Sequence, residues 1–170
     1  MDLTTYNKIR DTLQTGDLIQ WRSDTLLGSA IRYFSHGPVN HSGLVVRLDD
    51  FKGMSDRVWT LEAMDGIELH RLSRRLKEFK GDVWIYPLKD EYDNLRSLIA
   101  CWAAEKEGTP YDFGSLFRNV LGKVNADARR LFCSEYAYLA YHAVKIVRLM
   151  KAPTPADMPG LGIFKEPIMI

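Results

Sequence analysis

Hydrophobic and polar positions along this chain follow two periods, and the change from one to the other divides it near residue 90. Leu3, Tyr6, Ile9 and Leu13 recur at helical spacing and predict a short first helix, closed by a Thr15-Gly16 turn. Residues 17–21 read as a strand. Ser23-Asp24 then offers an N-cap for a helix carrying Leu26, Leu27, Ala30, Ile31 and Phe34, which His36-Gly37-Pro38 breaks. Residues 41–48 predict a central strand, the charged, glycine-containing stretch 49–56 a hairpin loop, and 58–64 the returning strand. Asp65-Gly66 predicts a tight turn into a strand over 67–71, Ser73 caps a short helix through Phe79, and 83–88 reads as a further strand.

The second half is helical. Residues 92–107 carry Leu95, Leu98, Ile99 and Trp102 on one side and stop at Gly108. A loop with Pro110 and Gly114 precedes a short helix over 116–121, and the polar segment 125–130 leads into a long helix from Cys133 to Met150, ended before Pro153-Thr154-Pro155. Strands first and helices afterwards predict an α+β fold with a mostly antiparallel sheet packed against helices. With 170 residues, 46 % of them hydrophobic, and no repeat or linker, the expectation is a single domain over 1–170.

Charge narrows the function little. The balance of 23 basic against 22 acidic residues gives no electrostatic footprint for nucleic acid. Arg71, Arg74, Arg75 and Lys77 form a basic cluster interrupted by Glu78, which reads as a solvated helix face. The N-terminus lacks a basic region followed by an apolar stretch, and no window reaches the roughly 18 to 20 apolar residues of a membrane span. A soluble, cytoplasmic protein without integral membrane association is expected. Cys101 and Cys133 show neither Cys-x-x-Cys nor zinc-ligand spacing, so both are read as reduced thiols.

Cys133 is the leading candidate for chemistry. It opens an apolar helix, where unpartnered N–H groups and the macrodipole favour a thiolate over a thiol. An unperturbed thiol of pKa about 8.5 is only roughly 3 % ionised at pH 7, so such a placement matters. Cysteine is also a common core residue, and either role suits Cys133 taken alone. Cys101, beside Trp102 in a periodic helix, is expected in the core, and Cys133 is expected to be partly exposed. A thiol nucleophile needs a base and a group that orients the base. His41 opens an apolar strand with small residues behind it; His36, His70 and His142 read as structural. Glu62, between Leu61 and Ala63 on the returning strand, is placed to be the orienting group or to sit on a solvent face.

Gly108-Thr109-Pro110-Tyr111, then Phe132-Cys133-Ser134 and Tyr136-Ala137-Tyr138, resemble the nucleophile half of the NlpC-type papain-like cysteine hydrolases. Thr15-Gly16-Asp17-Leu18-Ile19, His41-Ser42-Gly43-Leu44-Val45 and Leu61-Glu62-Ala63 resemble the other half of that family. Their order is reversed, which is the arrangement of the circularly permuted branch that holds YiiX-like bacterial proteins and relatives of lecithin retinol acyltransferase. The resemblance implies a permuted papain-like fold with the nucleophile at the N-terminus of a late helix. It implies Cys133 as nucleophile, His41 as base, Glu62 as orienting group, and Tyr111 near the site, positioning substrate or an oxyanion. No metal or other cofactor is implied. The expected reaction runs through a thioester acyl-enzyme on a small peptide or acyl substrate. An amidase or peptidase cutting short peptides such as cell-wall fragments is the first expectation; a thioesterase, acyltransferase or lipid-ester hydrolase is the second, and a non-catalytic ligand-binding module the third.

Overall fold

The computed structural model describes residues 2–48, 57–64, 66–108, 132–148 and 153–170. The expected hairpin loop over 49–56, the Asp65 turn position, the short helix over 116–121 and Tyr111 lie outside the described residues. Helix α1 is Thr4–Ile9, and β1 (Leu18–Ser23), α2 (Leu26–Ser35), β2 (His41–Arg47), β3 (Val58–Ala63), β4 (Ile67–Arg71) and α3 (Leu72–Glu78) follow. Then come β5 (Gly81–Tyr86), a 3-10 turn over Asp90–Leu95, α4 (Arg96–Ala104), α5 (Phe132–Ala143), a 3-10 segment over Pro155–Leu161 and β6 (Ile168–Met169). The strands form one antiparallel sheet in the order β4-β3-β2-β1-β5-β6 among the described residues. The expected α+β class is met.

Alternation along the strands gives the sheet two buried faces. Leu18, Leu44, Leu61 and Ala63 point to the face covered by α4 and α5, where Ile99, Ala103, Ala137, Ala140 and Tyr141 are fully buried. Small side chains at Ala137 and Ala140 let α5 lie close to the sheet. Ile19, Trp21, Val45 and Val83 point to the opposite face, against Tyr6 of α1 and Leu72 and Leu76 of α3. The central strands therefore read as nearly continuous apolar runs.

Several boundaries differ from expectation, each for a local reason. Ser23 is the last residue of β1, paired with Gly81, so the N-cap of α2 falls to Thr25, whose hydroxyl accepts from the Gly28 N–H at 3.1 Å. Strand β4 runs straight into α3 at Arg71, so Ser73 lies inside the helix and no side chain caps it. The helix expected over 92–107 is divided, and its buried stripe is Arg96, Ile99 and Ala103, while Leu98 is 55 % exposed. A charged residue takes the inner position because Arg96 Nη1 meets the buried Asp17 Oδ1 at 2.8 Å and Nη2 donates to the Leu88 carbonyl at 2.9 Å. That turns Cys101 outward, so its expected core placement is corrected: Cys101 is exposed.

Helix α5 ends well before Met150. Lys145 adopts a left-handed φ of 63°, its N–H donates to the His142 carbonyl at 2.9 Å, and the Ile146 N–H donates to the Tyr141 carbonyl at 3.3 Å. This is a Schellman closure, and it turns Val147 back into the core. A lysine in the left-handed region gives no sequence signal of the kind a glycine would. Among the described residues no helix is long and apolar enough to cross a membrane.

Candidate active site

His41 begins β2 directly across from Trp21 of β1, and Glu62 of β3 lies across from Gly43. By alternation His41, Gly43, Glu62 and Thr60 share the sheet face that α3 covers. The imidazole and carboxylate meet diagonally, with His41 Nε2 at 2.8 Å from Glu62 Oε2. Gly43 makes this approach possible, because a Cβ there would lie 2.9 Å from Glu62 Cγ and 3.0 Å from the Leu61 carbonyl oxygen. Glu62 is fully buried, so its alternative placement on a solvent face is ruled out. The Thr60 hydroxyl donates to Oε1 at 2.7 Å, and Arg75 approaches from α3 with Nε 3.3 Å from Oε1 and Nη2 3.4 Å from Oε2.

Cys133 enters from the other layer, as the second residue of α5. Its expected partial exposure is corrected: it is only 6 % exposed, with the neighbouring Ser134 and Glu135 buried as well. The sulfur reaches the sheet where β2 and β3 part. The Val45 N–H donates to the Asp17 carbonyl at 2.8 Å, which sets the alternation of β2 so that the Ser42 N–H faces β3. Register between the two strands begins only at the Gly43–Glu62 pair, and the Ser42 N–H is left to hydrogen-bond the Cys133 sulfur. The Ser134 N–H bonds the same sulfur, and so does the His41 ring. With Nε2 committed to Glu62, His41 presents Nδ1 to the thiol.

Burial shifts all three groups toward their neutral forms, and their partners reverse it. Burial raises the Cys133 thiol, but the His41 charge and hydrogen bond, with the Ser42 and Ser134 N–H groups, hold it below the usual thiol range. Burial disfavours the His41 imidazolium, yet the charge and hydrogen bond of Cys133, joined by Glu62, raise it to about 10. Burial also raises the Glu62 carboxyl, and His41, the Arg75 charge and the Thr60 hydroxyl together bring it down to about 2. A thiolate, an imidazolium, a carboxylate and a guanidinium thus follow one another with alternating sign. Pairing of each charge with its neighbour offsets the cost of burying them.

Of the other histidines, His36 is the left-handed C-cap of α2, His70 lies 3.1 Å from Glu68, and His142 Nδ1 lies 3.1 Å from the Val147 carbonyl. None joins the cluster. The basic run expected to be a solvated face is split: Arg74 is exposed and pairs with Glu78 at 2.9 Å, whereas Arg75 turns inward to Glu62. Thr60, Arg75 and the Ser42 N–H were not legible as site groups in the sequence. Thr60 and Glu62, two apart on one strand, share a face, which is the one signal that could have found Thr60. The segment after α5 closes the site from the other side, where Ser134 Oγ donates to the Pro153 carbonyl at 2.7 Å and the buried Gln20 Nε2 donates to that of Pro155.

Comparison with known proteins places the chain in a family and a fold. The family of permuted papain-like amidase enzymes of the YaeF/YiiX type matches residues 12–154, and the chain belongs to that family. Among solved structures, the crystal structure of the metalloprotein yiiX from Escherichia coli O157:H7 is similar, with a TM-score of 0.59 and 22 % identity. The match covers 79 % of this chain and 68 % of that one, and it shows a common fold. No functionally curated protein matches. The description as a metalloprotein is that of the Escherichia coli protein; among the described residues of this chain, no three His, Cys, Asp or Glu side chains converge to hold a metal ion.

Proposed function

We propose that this permuted papain-like amidase hydrolyses an amide bond of a short peptide, such as a cell-wall fragment, through a thioester acyl-enzyme with Cys133 as nucleophile, His41 as base and Glu62 as orienting group. The observation that carries the reading is the linked set of contacts from the Cys133 sulfur through His41 to Glu62, with Nε2 and Oε2 at 2.8 Å. The thiolate attacks the carbonyl carbon, and the tetrahedral oxyanion is stabilised by the Cys133 N–H, a reading supported by the position of Cys133 in the first turn of α5. The imidazolium gives its proton to the departing amine. The neutral imidazole then takes a proton from water, which attacks the thioester and releases the acid and the free thiolate. An ion pair formed before substrate arrives suits an amide, whose amine must be protonated to leave.

The test is a screen of the purified protein against peptide amides, acyl thioesters and phospholipid esters, with Cys133→Ala as blank. Turnover of a peptide amide that vanishes in Cys133→Ala is expected. Turnover confined to thioesters or lipid esters would replace the amidase reading with acyl transfer. Amide turnover that survives in the variant would remove Cys133 from the mechanism.

A further inference from the structure

The Glu62 carboxylate is hemmed in by more than its histidine. Glu68 of β4 stands directly across the ladder from it, and like charges at that spacing repel. Glu68 is turned to His70 at 3.1 Å and is half exposed, so it offers Glu62 no hydrogen bond. From the other side, α3 delivers Arg75. Its guanidinium lies 4.8 Å from the Trp21 ring centroid and 5.5 Å from that of Phe79, and those rings meet edge to face at 4.9 Å. Held over these rings, the guanidinium brings Nε and Nη2 to the two oxygens of Glu62. Trp21, which seats Arg75, is also the cross-strand neighbour of His41 in the sheet.

We infer that Arg75 is a positioning residue for the reaction: its planar fork sets the rotation of the Glu62 carboxylate so that Oε2 faces His41 Nε2 while Thr60 holds Oε1. The inference rests on the orienting role proposed for Glu62. Without the fork, only one hydroxyl and one imidazole would fix the rotation of the buried carboxylate about its terminal bond. Arg75 acts on Cys133 only through those groups, and a lysine in its place would supply charge without the bidentate geometry.

The experiment compares Arg75→Met and Arg75→Lys, each alone and combined with Glu62→Gln. One readout is the Glu62 carboxyl carbon signal in NMR, assigned by its loss in Glu62→Gln; the other is turnover of the amide found by the screen. The groups facing Glu62 that also bear on its titration are His41 from β2, Glu68 and His70 from β4, and Cys133 from α5 through His41. The Glu62 signal in wild type and Arg75→Lys is expected to stay that of a carboxylate to low pH, and in Arg75→Met to titrate about one pH unit or more higher. Turnover is expected to fall about tenfold in Arg75→Met and to recover in part in Arg75→Lys, with little further loss when either is added to Glu62→Gln, as for groups acting in one network. If Arg75→Met does not fold, the Arg75→Lys pair reads the same coupling. An unmoved Glu62 signal in Arg75→Met, or losses that multiply in the double variants of either substitution, would overturn the inference. A moved signal with wild-type turnover in Glu62→Gln would instead overturn the triad, and the two failures are told apart by the NMR readout.

Discussion

Replacing Glu62 by glutamine keeps the size of the side chain and removes its charge, and the structure sets the scale of the result. Raising His41 from 6.5 to about 10 corresponds to roughly 5 kcal/mol in favour of the imidazolium, from the relation of about 1.4 kcal/mol per pH unit. The Cys133 thiolate supplies the larger part and Glu62 the smaller. Loss of the carboxylate therefore leaves the imidazolium weaker by the smaller share, on the order of 2 kcal/mol, and moves the His41 titration downward. If the same energy is lost in the transition state, turnover falls on the order of 30-fold. The amide of a glutamine has a second cost, because its NH2 would face the donors of Arg75 or His41. Two assays check this: turnover of the amide substrate, and the ring signals of His41 followed by NMR against pH. Glu68→Gln serves as the control, since Glu68 is directed at His70. Wild-type turnover in Glu62→Gln, or an unmoved His41 titration, would refute the reasoning, and a clear defect in Glu68→Gln would assign the orienting role to the wrong strand.

The two thiols oppose exposure to ionisation. Brief iodoacetamide treatment at pH 6 should label the buried, ion-paired Cys133 before the exposed Cys101 by peptide mapping, and His41→Ala should reverse that order; equal labelling in both proteins would remove the ion pair. Glu135 is buried, its Oε1 lacks a hydrogen bond, and burial pushes its carboxyl up to about 7. A carboxyl raised on folding contributes stability that is whole below its unfolded value near 4.5 and is lost as pH rises through about 7. Glu135→Gln should therefore match wild type near pH 4 and exceed it by up to about 3 kcal/mol at pH 8 in denaturant unfolding, and parallel stability curves would contradict this.

The strands were legible because their signals are local. Runs of alternating or continuous apolar residues gave β2, β3 and β4 almost to the residue, and the prediction that Glu62 lies on the partner strand of His41 followed from those runs alone. The errors fall where a distant group decides. Leu95, Leu98 and Trp102 have the spacing of a buried stripe, but Asp17, nearly eighty residues earlier, draws Arg96 inward and rotates α4, which also exposes Cys101. The end of α5 depends on where Val147 must return to the core, and the two-residue β6 has too little sequence to show a period. Arg75 was indistinguishable from Arg74 and Lys77 because the direction of a side chain on a short helix depends on how that helix docks.

The lowered thiol of Cys133 shows the same division between local and distant causes. A helix start supplies N–H groups near the thiol, and this is the part of its surroundings that the sequence shows. In the structure that contribution is the Ser134 N–H, and it is the smaller part of what opposes burial. The larger part comes from His41, and a further donor, the Ser42 N–H, comes from a strand. That donor is free only because β3 gives up its register with β2 at the Gly43–Glu62 pair, the same pair in which glycine admits the Glu62 side chain. One feature of the ladder thus opens a place for the sulfur from one layer and for the carboxylate from the other. Because His41 sits at the start of β2, between those two places, its ring can hold both at once. Burial alone would keep the thiol protonated; the groups gathered at the sheet end are the larger part of what lowers it below the usual thiol range.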